Sequence, residues 1–133
     1  MIGKIIIGKS FRGCIGYCLE KEGAELLYQQ LCFGDKREII QQFNEVRQLN
    51  ERVAKPVMHI TLSLVPGERL LEKEVHRLLD NAARDLGYEK NQWIAIAHHD
   101  TAHKHFHIVV NRIGFDGKTL SDSNNYKKIA GLC

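Results

Sequence analysis

The sequence predicts an α+β fold in which a mainly antiparallel β-sheet is covered on one face by two amphipathic helices. Short runs rich in β-branched and apolar residues, such as "GKIIIG" and "HFHIVV", are typical of strands. Two longer segments repeat apolar residues at helical spacing, for example Ile39, Ile40, Phe43 and Val46 in the first. The short connection "DTAHK" between the last two strands favours antiparallel pairing.

Each element follows from local signals, taken in chain order. Glycines bound the first strand, Ser10 offers an N-cap to the helix after it, and Asp35 does the same for the first amphipathic helix. The segment 24–33 is ambiguous but can form a strand, and the Asp116-Gly117 turn follows the last strand. We assign strands to 3–8, 24–33, 56–65, 92–99 and 105–114, and helices to 11–21, 36–53 and 70–88.

Length and composition fit one globular domain, with 133 residues, 44% of them hydrophobic and 26% charged. Because the chain ends without a clear helix cap, we expect residues 1–133 to be the N-terminal domain of a longer protein. No apolar run has the roughly 18 residues of a membrane span, and no signal peptide is recognisable, so the sequence predicts a cytoplasmic protein with reduced thiols. Cys14 and Cys18 have a spacing that could share a metal ion, although core packing is the favoured interpretation.

Charge is distributed unevenly along the chain. The net charge of +3 does not by itself indicate a polyanionic partner. Residues 1–19, however, contain Lys4, Lys9 and Arg12 and no acidic residue, and basic residues again exceed acidic ones after residue 100. If the two ends of the chain meet in space, they form a positive patch beside the histidines.

Histidines are concentrated in the segment "HHDTAHKHFHIVVNR", residues 98–112. Strand alternation puts His105 and His107 on one face, and His98 can meet them from the neighbouring strand. Three imidazoles that hold one cation leave coordination positions open, as catalytic metal sites do. We expect Asp100 to orient one of the rings from outside the ligand shell.

A cation with open positions polarises an oxygen anion, and the positive patch suggests that this anion is a phosphate. Either water or a tyrosine can then be the nucleophile.

Two other functions fit part of the pattern. One is a histidine-triad nucleotide hydrolase that uses His105 without a metal, although Lys104 stands where that pattern requires an apolar residue. The other is a non-enzymatic, zinc-stabilised DNA-binding module.

Three segments resemble the motifs of the plasmid relaxase, or mobilisation nuclease, family. "GKSFRGCIGYCLEKEGA" resembles the first motif, which carries a tyrosine on the helix after the first strand. "HITLSLVPGE" resembles the intervening motif, and "HHDTAHKHFHIVVNR" resembles the histidine motif. The three occur in the family's order between residues 4 and 113. The family usually has aspartate at the position of Ala102, so we expect either an outer contact of the site or a contact with DNA to be missing here.

The resemblance implies a metal-dependent single-stranded DNA endonuclease and strand transferase that nicks an origin of transfer through a 5′-phosphotyrosyl intermediate. Tyr17 would be the nucleophile, with Tyr28 and Tyr126 as alternatives. The ligands of one divalent metal ion would be His98, His105 and His107. The resemblance implies Mg or Mn, whereas the softness of imidazole favours Mn, Co, Ni or Zn.

The expected partner is single-stranded DNA at an origin of transfer, because a scissile phosphate must reach a recessed cation and tyrosine. Accessory mobilisation proteins are further potential partners. The resemblance implies that Ser63 contacts DNA near the nick and that Glu68 is a supporting acid. Phosphate contacts are expected from Lys9, Arg12 and Arg112.

Overall fold

The computed structural model describes residues 1–99, 104–121 and 129–131. Its strands are β1 (Ile2–Gly8), β2 (Ala24–Gln30), β3 (Val57–Ser63), β4 (Trp93–His98) and β5 (His105–Asn111). Its helices are α1 (Phe11–Glu20), α2 (Lys36–Arg47) and α3 (Glu72–Asp85), with a short 3-10 helix at Gln48–Asn50. The α+β prediction is confirmed, and the ambiguous segment after α1 is a strand.

The five strands form one antiparallel sheet in the order β1-β3-β5-β4-β2. β4 and β5 pair as the short connection between them predicts. β5 lies at the centre of the sheet, so its side chains meet those of β3 on one side and those of β4 on the other.

The two amphipathic helices lie on opposite faces of the sheet, which corrects the prediction that both cover one face. α3 packs against side chains that include Met58, Ile60, Ala95 and Ile108. α2 packs with α1 against the other face, on Val57, Ile94, Ile96 and Val109. β4 is buried along its whole length because it is apolar on both faces, and such a strand needs cover on both.

Helix caps fix where α1 and α2 begin. The Ser10 hydroxyl accepts a hydrogen bond of 2.9 Å from the Gly13 backbone N–H. The Asp35 carboxylate accepts one of 3.0 Å from the Glu38 N–H, and the Glu38 carboxylate accepts one of 3.1 Å from the Asp35 N–H. Two residues, Lys9 and Ser10, separate the end of β1 from the start of α1. Within the described residues, no helix has the length and apolarity needed to span a lipid bilayer.

Candidate active site

The predicted histidines lie on the face of the sheet that α1 covers. His98 of β4 is paired with His105 of β5, so the two side chains leave the sheet on the same face. His107 follows two residues along β5 and is paired with Ile96. The ring centroids of His98 and His107 are 4.1 Å apart, and those of His105 and His107 are 6.4 Å apart.

Each of these imidazoles has one ring nitrogen held by another part of the protein. His98 donates from Nε2 to the backbone carbonyl of Cys18 over 2.7 Å. His105 Nδ1 lies 3.1 Å from the Ser63 hydroxyl. His107 Nδ1 lies 2.8 Å from His59 Nε2. The opposite nitrogen of each ring is the one that can bind a cation, and outer contacts of this kind orient the ligands of metal sites.

His107 is the most buried histidine of β5, with 7% of its surface exposed. Burial lowers the pKa of its imidazole to about 3, and the neighbouring His98, His59 and His105 lower it in the same direction. The ring is therefore neutral at physiological pH, which is the form that binds metals.

The chemistry of three imidazoles suits a divalent metal ion that accepts nitrogen ligands, and their role as its ligands stays a prediction. The donor set does not select one ion, because zinc, manganese, cobalt and nickel all take imidazole. No carboxylate of the described residues forms a hydrogen bond or an ion pair with the three rings.

Tyr17 projects from α1 toward the histidines. Its ring centroid is 6.5 Å from that of His98 and 6.4 Å from that of His107. The side chain is 56% exposed, so its hydroxyl is accessible to a large substrate. The ammonium of Lys21, one helical turn further along the chain, lies 5.9 Å from the Tyr17 ring centroid. The geometry thus combines an exposed phenol, the ammonium group of Lys21 and a cluster of imidazoles.

Tyr28, one of the alternative nucleophiles, is not part of this cluster. Tyr28 stacks on Trp93, with ring centroids 4.6 Å apart, and its hydroxyl donates to Gln30. Trp93 belongs to the α3 face, so Tyr28 lies across the sheet from the histidines. Tyr126 and Asp100 lie outside the described residues.

Three side chains predicted to support the substrate make other contacts. The Ser63 hydroxyl lies 3.1 Å from His105 Nδ1, a contact that was not predicted, and its expected contact with DNA stays a prediction. The guanidinium of Arg112 donates to the backbone carbonyls of Lys55 and Leu120, so it braces two loops at the far end of β5.

Glu68 pairs with the N-terminal ammonium over 3.0 Å and accepts a hydrogen bond from the Val65 N–H. Its contact with that ammonium holds the pKa of the Glu68 carboxyl below its usual value. Glu68 therefore supports the start of β1, and within the described part of the chain it forms no hydrogen bond or ion pair with a histidine.

Arg12 lines a groove of about 880 Å³ between α1 and α2 that reaches Tyr17. Lys36 and Arg37 contribute further positive charge, and Lys36 pairs with Glu20 in the same groove. Gly13 and Gly16 form part of the wall, which leaves this side of α1 open to a ligand. Lys9 is exposed in the link between β1 and α1.

His59, Cys14 and Cys18 were not predicted as a group. His59 comes from β3, on the same face as His107, and its Nε2 lies 3.8 Å from Cys18 Sγ. Within the described residues, the ligand atoms of these three side chains all lie within 4.8 Å of one another. The pKa of the Cys14 thiol is lowered to about 5, chiefly because Cys18 donates a hydrogen bond to it, and the pKa of Cys18 is raised. The spacing of the two cysteines was a signal for this group in the sequence. His59 could not be added to it, because it lies on a strand that is distant in the chain.

Comparison with known proteins identifies the family to which this arrangement corresponds. A family model described as relaxase, MobA/VirD2-like, nuclease domain matches residues 17–133, so the match begins at Tyr17. Protein TraI of Escherichia coli is 28% identical to this chain over 81 residues. The aligned part is 60% of this chain and 11% of TraI, so the chain spans a small fraction of that relative.

Proposed function

Because the chain belongs to the relaxase family of MobA/VirD2-like nuclease domains, we propose that it nicks single-stranded DNA at an origin of transfer with Tyr17 as the nucleophile. His98, His105 and His107 would hold one divalent cation, manganese or magnesium in the cell. The DNA strand would leave the reaction joined to the protein through a phosphotyrosine. A cytoplasmic location and accessory mobilisation proteins as partners are part of the same proposal.

The observation that carries this proposal is the position of one exposed phenol above the histidines. Tyr17 lies about equally far from His98 and His107, at 6.5 and 6.4 Å between ring centroids. A phosphate between the tyrosine and the imidazole cluster would be within reach of both. The histidine-triad alternative has no role for Tyr17 or for His98, and a closed zinc module does not need an exposed tyrosine beside its metal.

The proposed reaction exchanges one phosphodiester bond for another. The Tyr17 oxygen forms a bond to phosphorus and loses its proton, while the bond from phosphorus to the 3′ oxygen of the preceding nucleotide breaks. That oxygen takes up a proton and leaves as a 3′-hydroxyl. The ammonium of Lys21, 5.9 Å from the centroid of the Tyr17 ring, would add positive charge beside the attacking group. A bound divalent cation would offset the negative charge that builds up on the phosphate oxygens.

The groove between α1 and α2 is the proposed path of the DNA strand toward Tyr17. Arg12 lines it and Lys9 is exposed in the link that precedes α1, and both would contact phosphates. Arg112 is not retained in this set, because its guanidinium is engaged with backbone carbonyls. The chain would act as the nuclease domain of a longer protein.

A cleavage assay tests the proposed function directly. Single-stranded oligonucleotides that tile the sequence beside the protein's own gene are incubated with the protein and Mn²⁺ or Mg²⁺. We expect one oligonucleotide to be cut at one position and its 5′ end to remain bound to the protein after denaturation. Products with free ends on both sides of the cut would instead indicate hydrolysis by water.

Replacement of Ser63 by alanine tests whether this residue orients His105 or contacts DNA. Loss of its contact with His105 Nδ1 should weaken metal binding roughly 10–100-fold, the range typical of outer contacts to metal ligands. Mn²⁺ affinity is measured by titration with electron paramagnetic resonance detection, and DNA affinity is measured separately in chelator. Unchanged Mn²⁺ affinity together with weaker DNA binding would instead support the predicted contact of Ser63 with DNA.

A further inference from the structure

We propose that Cys14, Cys18 and His59 form a second metal site, selective for a thiophilic divalent cation such as Zn²⁺ and distinct from the three-histidine cluster. The two cysteines lie on α1 and the histidine on β3, so the site joins the helix that carries Tyr17 to the sheet. The proposal does not depend on the DNA-nicking function.

The distances between the ligand atoms suit a tetrahedral cation. With zinc–sulfur bonds of about 2.3 Å and zinc–nitrogen bonds of about 2.0 Å, tetrahedral angles separate two sulfurs by roughly 3.8 Å and a sulfur from a nitrogen by roughly 3.5 Å. Cys18 Sγ and His59 Nε2 are 3.8 Å apart, and all three ligand atoms lie within 4.8 Å of one another. Small side-chain rotations therefore bring them to bonding distance.

Helical spacing explains why the two sulfurs meet. Cys14 and Cys18 are four residues apart in α1, so both side chains lie on the face that packs on the sheet. Cys18 is fully buried and Cys14 is partly buried. Two thiolates balance the charge of a divalent cation, so a site in this half-buried position needs no other counterion.

A cleft leads from the surface to the cluster. It has a volume of about 270 Å³ and is lined by Cys14, His59 and Tyr17, among others. A cation could enter through it and keep its fourth position for a water molecule on that side. Because His59 Nε2 also lies 2.8 Å from His107 Nδ1, it would give up that hydrogen bond when it binds the cation.

The two thiolates should make this site bind different metal ions from the three-histidine cluster. Soft sulfur donors favour Zn²⁺ and Co²⁺ over Mg²⁺ and Mn²⁺, which prefer oxygen ligands. Co²⁺ is also a reporter, because a cobalt–thiolate bond gives a charge-transfer absorption that cobalt bound only to imidazole lacks. The two sites can therefore be told apart in one spectrum.

The experiment is a Co²⁺ titration of the reduced, metal-free full chain in a Cys133→Ser background, which removes a thiol outside the described residues. We expect the thiolate charge-transfer band to stop growing when one Co²⁺ ion per chain is bound at this site. Cys14→Ser should lose the band at the cobalt concentration that saturates the parent protein. Cys14 is the better position for the test, because substitution of the fully buried Cys18 can also disturb folding.

Cys32→Ala is the matched control, since Cys32 is also a buried thiol of the α1 and α2 side of the core and is not in the cluster. It should keep the band. The proposal is overturned if the parent protein shows no thiolate band, if the band survives unchanged in Cys14→Ser, or if Cys32→Ala loses it equally. Each of these results leaves the proposed role of Tyr17 and the three histidines intact.

Discussion

Replacement of Tyr17 by phenylalanine is expected to abolish the covalent adduct between the protein and its DNA. The change removes only the hydroxyl, which is the atom that would form the bond to phosphorus. Loss of the nucleophile in a covalent mechanism leaves only weak residual activity, so we expect the cleavage rate to fall by at least roughly a thousandfold. Adduct formation is measured with end-labelled oligonucleotide on denaturing gels.

Folding should be unaffected by this change. The Tyr17 side chain is 56% exposed, and substitutions at such positions usually alter the free energy of unfolding by less than about 0.5 kcal/mol. Single-stranded DNA and Mn²⁺ should still bind, because the aromatic ring and the three histidines are retained. A loss of adduct together with normal binding would therefore assign a chemical role to the hydroxyl.

Tyr28→Phe is the matched control for Tyr17→Phe. Tyr28 is 37% exposed and lies on the opposite face of the sheet, where its ring stacks on Trp93. Its variant should form the adduct at the parental rate. If Tyr17→Phe still forms the adduct, the nucleophile is another residue, and Tyr126 becomes the next candidate.

Local sequence signals predicted most of the elements but not their arrangement across the sheet. Helical periodicity and the caps at Ser10 and Asp35 identify α1 and α2 because these signals act between residues close in the chain. Periodicity does not say which face of a sheet a helix covers. The run of apolar residues in β4 carried that information, since a strand apolar on both faces must be covered on both.

The candidate site was predictable where its residues come from adjacent strands. His98 and His105 meet because a short connection joins β4 to β5, and alternation brings His107 to the same face. His59 could not be found this way. It comes from β3, which pairs with β5 although α3 and β4 separate the two in the chain, and strand periodicity does not specify such a partner.

The same limit explains the side chains whose contacts differ from the prediction. Ser63 meets His105 across the β3–β5 pairing, and this contact between distant segments is invisible in the sequence. Arg112 carries the positive charge expected of a phosphate ligand, but loop carbonyls at the other end of β5 accept its hydrogen bonds. Residue type indicated the chemistry available to each side chain, and the fold determined which partner used it.

Replacement of His105 by alanine is expected to remove both metal binding and cleavage. His105 supplies one of three proposed ligands, and two imidazoles bind a divalent cation far more weakly than three. We expect Mn²⁺ affinity to fall by roughly a hundredfold or more, beyond the loss expected from an outer contact such as that of Ser63. Mn²⁺ titration and the adduct assay, run on the same preparation, measure the two effects.

His105 is a better test position than His107 because it is only partly buried, so its substitution leaves the core of the sheet intact. His99→Ala is the matched control. His99 directly follows His98, and its side chain is 42% exposed and lies 4.0 Å from Glu25. Strand alternation directs it away from the cluster, so its variant should bind Mn²⁺ and form the adduct normally.

Four results are informative about the ligand set. Loss of metal and adduct in His105→Ala, with partial recovery of the adduct at high Mn²⁺, would link the two through occupancy of one site. Unchanged Mn²⁺ affinity would remove His105 from the ligand set, and an equal loss in His99→Ala would mean that the register of β4 does not select the ligands. A normal adduct in metal-free His105→Ala would show that Tyr17 acts without a cation, because the phenol would then be activated by the protein alone.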